Sequence, residues 1–401
     1  MGDASEPMML TTDCHFPPPP WLSKEMPAHL QDKVMRLEER SDGVYLVRPT
    51  PFTGNAQSMG SSDMGDSARV DRTALLNMGV KVNDPDDEHE VARLVQGDCA
   101  AESNPTFQLA DLIDELEADG VAGGVLISSF GHPSGDLEVD VPWCQLANDW
   151  IAEQCKDDMH RFAPGIQLPL TSVAESVKEL ERAAAMGMRP ALLPDVWPGR
   201  HWLDPDWEPL WEALEGLNVP VTMHVSSSRA GLPWSQDTAF KPGIGATGGL
   251  LLVSAGMAES ALWFASGGIF ERHPGLQVIF TECSAGWFAW AMEIMDYAYF
   301  GRFGNAFVTD QGFPSMRHCE FPPSYYLKRQ TACTFMDDRA AINNRELTGV
   351  EALMWGNDWP HQEGVQPNSR QVVEKMFDGV PEAEVRAITH DNAARVFGLT
   401  V

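Results

Sequence analysis

The segment Trp355-Gly356-Asn357-Asp358-Trp359-Pro360-His361-Gln362 sets an aspartate behind a short apolar run and a histidine three residues further on. Glycine and asparagine end strands, so Asp358 is expected where a buried strand gives way to a loop. A carboxylate fixed at such an edge can bind a metal ion or accept a proton from a metal-bound water. On its own the segment reads as an aspartate capping a loop. Its weight comes from partners elsewhere in the chain. Asp13 and His15 flank Cys14 at the end of the first apolar run, and residues two apart in a strand share a face. His224 ends the run Val221-Thr222-Met223. Two imidazoles and two carboxylates suit one divalent metal, zinc first and manganese second.

Glu282 ends the apolar run Val278-Ile279-Phe280-Thr281, and it could move protons, bind the metal or hydrogen-bond a neighbouring loop. Trp197, His201, Arg229, Trp359 and His361 are candidates for lining a substrate pocket on position alone. Each residue has a plainer reading: a chance D-x-H, a core histidine, a turn-forming aspartate. Convergence at one end of one fold turns the balance.

That convergence requires the elements in between. Strand candidates are Met8–Cys14, Val121–Ser129, Phe162–Leu170, Arg189–Pro194, Pro220–Val225, Gln277–Cys283, Thr331–Phe335 and Ala352–Asn357. Helical spacing falls at Leu109–Asp119, Val173–Met186, Trp207–Leu217, Leu250–Arg272, Trp287–Tyr299, Asp337–Asn344 and Glu382–Val396. Alternation of this kind implies parallel strands with helical crossovers, and eight units close into an α/β fold of the (β/α)8 barrel type. No glycine-rich phosphate loop follows the first strand, which lowers the doubly wound alternative. The whole chain is expected to form one barrel domain. A long insertion, partly helical near His29–Glu39, is expected at about residues 23–104, and a helical wrap at about 366–401.

Composition narrows the partners. A formal net charge of −30, from 58 acidic against 28 basic residues, argues against nucleic acid and anionic membranes. The seven cysteines are scattered without CxxC spacing, so reduced thiols in a cytoplasmic protein are expected. The acidic N-terminus has no apolar stretch resembling a signal peptide, and Gly249–Phe270 reads as a buried helix rather than a membrane span.

Several segments resemble the amidohydrolase-related family, in the branch that includes aminocarboxymuconate semialdehyde decarboxylase. They are Thr12-Asp13-Cys14-His15, VPVTMHV around His224, FERHPGLQVIFTECSAGW ending at Trp287, and LMWGNDWPHQEG. RFAPGIQLPL and the closing DNAARVFG are similar too, so the resemblance runs from about residue 8 to 399. It implies a distorted barrel and a single catalytic divalent metal held by Asp13, His15, His224 and Asp358, with Asp358 also the proton acceptor. It is compatible with a homodimer. Two positions depart from the pattern. Asp13 stands where many relatives have histidine, and Glu282 stands where decarboxylases of the branch carry a histidine. An anionic Glu282 would repel a carboxylate substrate. The expected activity is therefore metal-dependent hydrolysis of a small amide, ester, lactone or activated C–C bond, with Asp358 as general base and Glu282 orienting water or substrate. Non-oxidative decarboxylation is the alternative, and a catalytically silent binding barrel the second.

Overall fold

The computed structural model describes residues 8–34, 36–40, 43–47, 67–69, 108–128, 134–195, 197, 200–225, 245–300, 319–361 and 364–401. All eight expected strands are present. They are β1 (Met9–His15), β5 (Val121–Ile127), β6 (Phe162–Pro164), β7 (Ala191–Pro194), β8 (Val221–His224), β9 (Val278–Thr281), β10 (Thr331–Phe335) and β11 (Leu353–Trp355). Every pairing among them is parallel. The ladders run β1-β5-β6 and β7-β8-β9-β10-β11. Two isolated bridges, Ile166 with Ala191 and Cys14 with Trp359, join the ends of these ladders into a ring. Backbone hydrogen bonds mark both seams, with Leu192 N donating to Ile166 O at 2.9 Å and His15 N to Trp359 O at 2.7 Å.

Inside the ring, strands contribute one face each. Leu192, Thr222, Ile279 and Ala332 stand opposite one another in register. Leu10, Val125, Ala163 and Met354 complete an apolar cluster with three of them, and Ala393, Phe397 and Leu399 from the C-terminal turn pack into the same cluster. Two residues beyond Thr222, on the same face, stands His224. The apolar filling therefore gives way to chemistry at the C-terminal ends of the strands, as barrels of this kind arrange it.

Helices cover the outside. In α1 (Leu109–Ala118), Leu109, Leu112 and Leu116 are buried along one stripe. In α3 (Val173–Ala185), Ser172 accepts from Glu175 N, a cap legible as Ser-x-x-Glu. Between them, α2 (Leu137–Cys155) is absent from the sequence reading, because Pro142 inside it looks like a breaker. Further along come α4 (Glu208–Gly216), α5 (Gly245–Ser266), α6 (Gly286–Tyr299), α7 (Pro323–Gln330) and α8 (Ser369–Met376). The helix expected over Leu250–Arg272 is two pieces: α5 stops before Gly268, which adopts φ 82°, and a short turn Ile269–Arg272 follows. No helix among the described residues is long and apolar enough to cross a membrane.

The helix expected near His29–Glu39 is a correction. The structure has a 3-10 turn at Gln31–Lys33, then β2 (Arg36–Arg40) antiparallel to β3 (Gly43–Val47), which pairs with β4 (Ser67–Arg69). Val44-Tyr45-Leu46-Val47 is β-branched and aromatic, and Asp42-Gly43 before it is a hairpin signal that outweighs the weak helical spacing. Most of the expected insertion lies outside the described residues. Six cysteines are free and buried, and Cys99 is outside the described set.

Candidate metal centre

The first and last strands meet in a short hydrogen-bonded clamp. Thr11 Oγ donates to Asp13 O at 2.8 Å and lies 2.9 Å from Asn357 Oδ1. It accepts from Asn357 N at 3.0 Å, and Asp358 N donates to Asp13 O at 2.9 Å. The ladder between β1 and β5 slips between Thr11 and Cys14, a bulge that re-aims the residues within it. Gly356 makes room for the result, since a Cβ there would stand 2.9 Å from that of Asp13. Asp358 itself has φ 56°, a left-handed backbone unusual outside glycine. The clamp on both sides of it holds that conformation and turns its carboxylate inward, where it is fully buried.

Four side chains from three elements come together. His15 Nε2 lies 3.4 Å from Asp13 Oδ1 and 3.2 Å from Asp358 Oδ1. His224 Nε2 lies 3.7 Å from Asp13 Oδ1. The other ring nitrogen of His224 donates to its neighbour's carbonyl, Val225 O, at 2.7 Å, which fixes the tautomer that presents Nε2 to the site. Glu282 joins them, with Oε2 3.0 Å from His224 Nε2. His361 donates through Nδ1 to Asp358 Oδ1 at 2.8 Å, and its ring lies 4.0 Å from that of His15.

The charges follow from this crowding. Burial pushes Asp13 up, but the imidazoles of His15 and His224 beside it outweigh that and hold the carboxyl well below the usual range. Burial pulls His15 down, yet Asp13 and Asp358 raise it to about 9. His224 is raised in the same way, burial opposing and the charge of Glu282 prevailing. Glu282 is raised, chiefly by burial. In a metal-free site, two imidazoles thus carry the positive charge that the carboxylates demand.

The donor set fits a divalent cation on its own terms. Asp13 Oδ1, His15 Nε2 and Asp358 Oδ2 are sealed from solvent with no hydrogen-bond partner among the described residues. Buried polar atoms are nearly always satisfied. Two overlapping groups have ligand atoms all within 4.8 Å of one another: Asp13, His15, His224 and Glu282, and His15, Glu282, Asp358 and His361. Nitrogen and oxygen ligands in this number suit zinc or manganese.

The candidates for the pocket wall separate. His361 belongs to the second group. Trp359 turns its indole N–H to Glu115 Oε2 at 3.0 Å, so its polar end contacts α1. Trp197 packs edge-on against Trp207, and His201 is exposed beside Trp263. Arg229 lies outside the described residues.

Three supports escaped the sequence reading: Thr11, Asn357 and Asp338. Asp338 accepts from Ala285 N at 2.8 Å and Gly286 N at 2.7 Å, and its other oxygen accepts from Ala341 N at 2.9 Å. It pins the turn after β9, in which Glu282 and Ser284 both have left-handed backbones. Its place just before a short helix was the available signal, since aspartate is a favoured N-cap. Asp338→Ala should cost about 1–3 kcal/mol by orphaning these donors. A urea midpoint that falls without a change in slope would show it.

A family model described as amidohydrolase (Amidohydro_2) matches residues 12–399. The gamma-resorcylate decarboxylase of Rhodococcus jostii (strain RHA1) is 26% identical over 294 residues, covering 67% of this chain and 79% of its own. An amidohydrolase structure from Mycobacterium avium subsp. paratuberculosis K-10 superposes with a TM-score of 0.72 at 19% identity, covering 99% of this chain and 100% of that one. The dihydroxybenzoic acid decarboxylase of Polaromonas sp. JS666, solved with manganese and the inhibitor 2-nitroresorcinol, gives a TM-score of 0.57 at 21% identity, over 72% of this chain and 85% of that one. At these identities the two structures speak for the fold alone.

Proposed function

This chain belongs to the amidohydrolase family, and on that premise we propose that it is a divalent-metal-dependent non-oxidative decarboxylase of a small aromatic or conjugated acid. The observation that carries the proposal is the buried Asp358, whose Oδ1 takes the hydrogen bond of His361 while Oδ2 is left without a partner among the described residues, beside the cation-binding atoms. The similarity to a gamma-resorcylate decarboxylase supports this reaction class. Hydrolysis, expected from the residues, has support only at the level of the broad family. Manganese in a fold relative and zinc from the donor chemistry are the two ions to supply.

Asp13, His15 and His224 would hold the ion, with Asp358 at its edge. A bound divalent cation supplies positive charge that fixes a carboxylate together with a neighbouring substrate oxygen. The chain does the rest. Asp358 delivers a proton to the carbon that bears the carboxylate, the C–C bond breaks, and its electron pair stays in the conjugated system as CO₂ leaves. The balance is one carboxylate and one proton in, one C–H bond and one CO₂ out. His361 orients Asp358, and the apolar filling of the barrel below excludes water from one side.

The test is incubation of metal-loaded protein with a panel of hydroxybenzoates in D₂O. CO₂ release with one deuterium at the vacated carbon is expected. Uptake of solvent oxygen without CO₂ would place the chain with the hydrolases instead.

A further inference from the structure

We propose that Glu282 is itself a ligand of the divalent ion, completing a set with Asp13, His15 and His224; this rests on the metal-dependent reading above. The ligand atoms of these four residues all lie within 4.8 Å of one another. Glu282 Oε2 approaches His224 Nε2 to 3.0 Å, closer than Asp13 Oδ1 does at 3.7 Å. Asp13 Oδ1 points into the same space, sealed from solvent and without a hydrogen-bond partner among the described residues. A carboxylate that only shuttled protons would need freedom to reach substrate. Glu282 has little of it. Its amide N–H donates to Thr334 Oγ at 3.2 Å, its backbone is left-handed at φ 56°, and Asp338 pins the residues that follow it. Such a rigid placement, held from outside, is how protein sites hold metal ligands.

The consequence is a division of labour between two carboxylates. Glu282 adds a second negative charge to the cation beside Asp13. Asp358, hydrogen-bonded by His361, is left to handle protons. With two anionic ligands on the metal, the net charge facing the substrate is lower than a site with histidine at this position would offer. The substrate class this favours has a single carboxylate next to a neutral or weakly acidic oxygen, rather than two carboxylates converging on the ion.

Metal affinity decides the matter without recourse to turnover. Manganese dissociation constants would be measured by electron paramagnetic resonance for the parent protein, Glu282→Gln and the neighbouring variant Asp338→Asn, with folding checked by circular dichroism. Glu282→Gln should weaken binding by more than about 100-fold, beyond the ~10–100-fold that follows loss of a residue merely supporting a ligand. Should that variant fail to fold, Glu282→Cys supplies a second reading. Loaded with cadmium, it should show a thiolate-to-metal charge-transfer absorption that the parent lacks, because soft thiolates bind such ions directly. Parent protein that binds manganese while Glu282→Gln binds within about 100-fold of it overturns the assignment of Glu282 alone, as does a Glu282→Cys protein without the absorption. Parent protein that binds no divalent ion overturns the metal-dependent reading with it.

Discussion

In Asp358→Asn, kcat for decarboxylation should fall by about 10²–10⁴-fold, the range that positioned proton transfer contributes. The substitution is close to isosteric, so the packing around a fully buried side chain is preserved. Asparagine still accepts from His361 through its carbonyl oxygen. What it cannot do is hold a transferable proton where Oδ2 stands. The loss should therefore lie in kcat rather than in KM, the sign of an interaction used in the transition state. Because Glu282 is assigned to the ion, metal content in Asp358→Asn should stay near the parent value. Full turnover at saturating metal would remove Asp358 from the chemistry. A loss confined to KM would make it a binding residue.

Stripping the metal with a chelator should abolish turnover and also loosen the fold, and re-addition of manganese or zinc should restore both. The ion would join β1 to β8 and to the turn after β9, so its removal acts on the packing of the barrel as well as on catalysis. At free ion about 100 times Kd, binding to the folded state alone contributes about 2.7 kcal/mol. A thermal melt with and without chelator measures this directly. Protons compete for the same nitrogen: His15 stands at about 9 without the ion. Binding must displace that proton, so affinity should strengthen as pH rises toward that value. A melting temperature indifferent to chelator would mean that the cluster closes on itself without an ion.

The barrel was legible because its strands are short apolar runs separated by amphipathic helices, a pattern set by burial on both faces. Asp13, His15, His224, Glu282 and Asp358 could be found because each ends such a run, where the fold puts its mouth. What stayed hidden depends on contacts that no local pattern encodes. Thr11 and Asn357 look like an ordinary strand threonine and turn asparagine, yet they meet across 346 residues of sequence. The helix Leu137–Cys155 was concealed by Pro142, and the hairpin after Arg36 by a spacing that suits either element. Trp359, expected to line the pocket, follows Asp358 but turns its indole N–H to Glu115 on α1. The choice between hydrolysis and decarboxylation lay beyond the residues, because one ligand set serves both reactions.

The seam between β1 and β11 has a further implication, for how the protein comes into being. Asp13 and His15 emerge from the ribosome long before the turn that carries Asp358. Until Leu353–Trp355 has left the ribosome, the nascent chain holds the four proposed ligands facing an open edge, without the carboxylate proposed to handle protons. Loop closure over such a distance grows only slowly with length, about 0.6 kcal/mol per doubling, so the delay is one of order rather than of energy. The growing chain therefore has its proposed metal ligands in place before it has the residue proposed to move protons, so metal binding can precede activity.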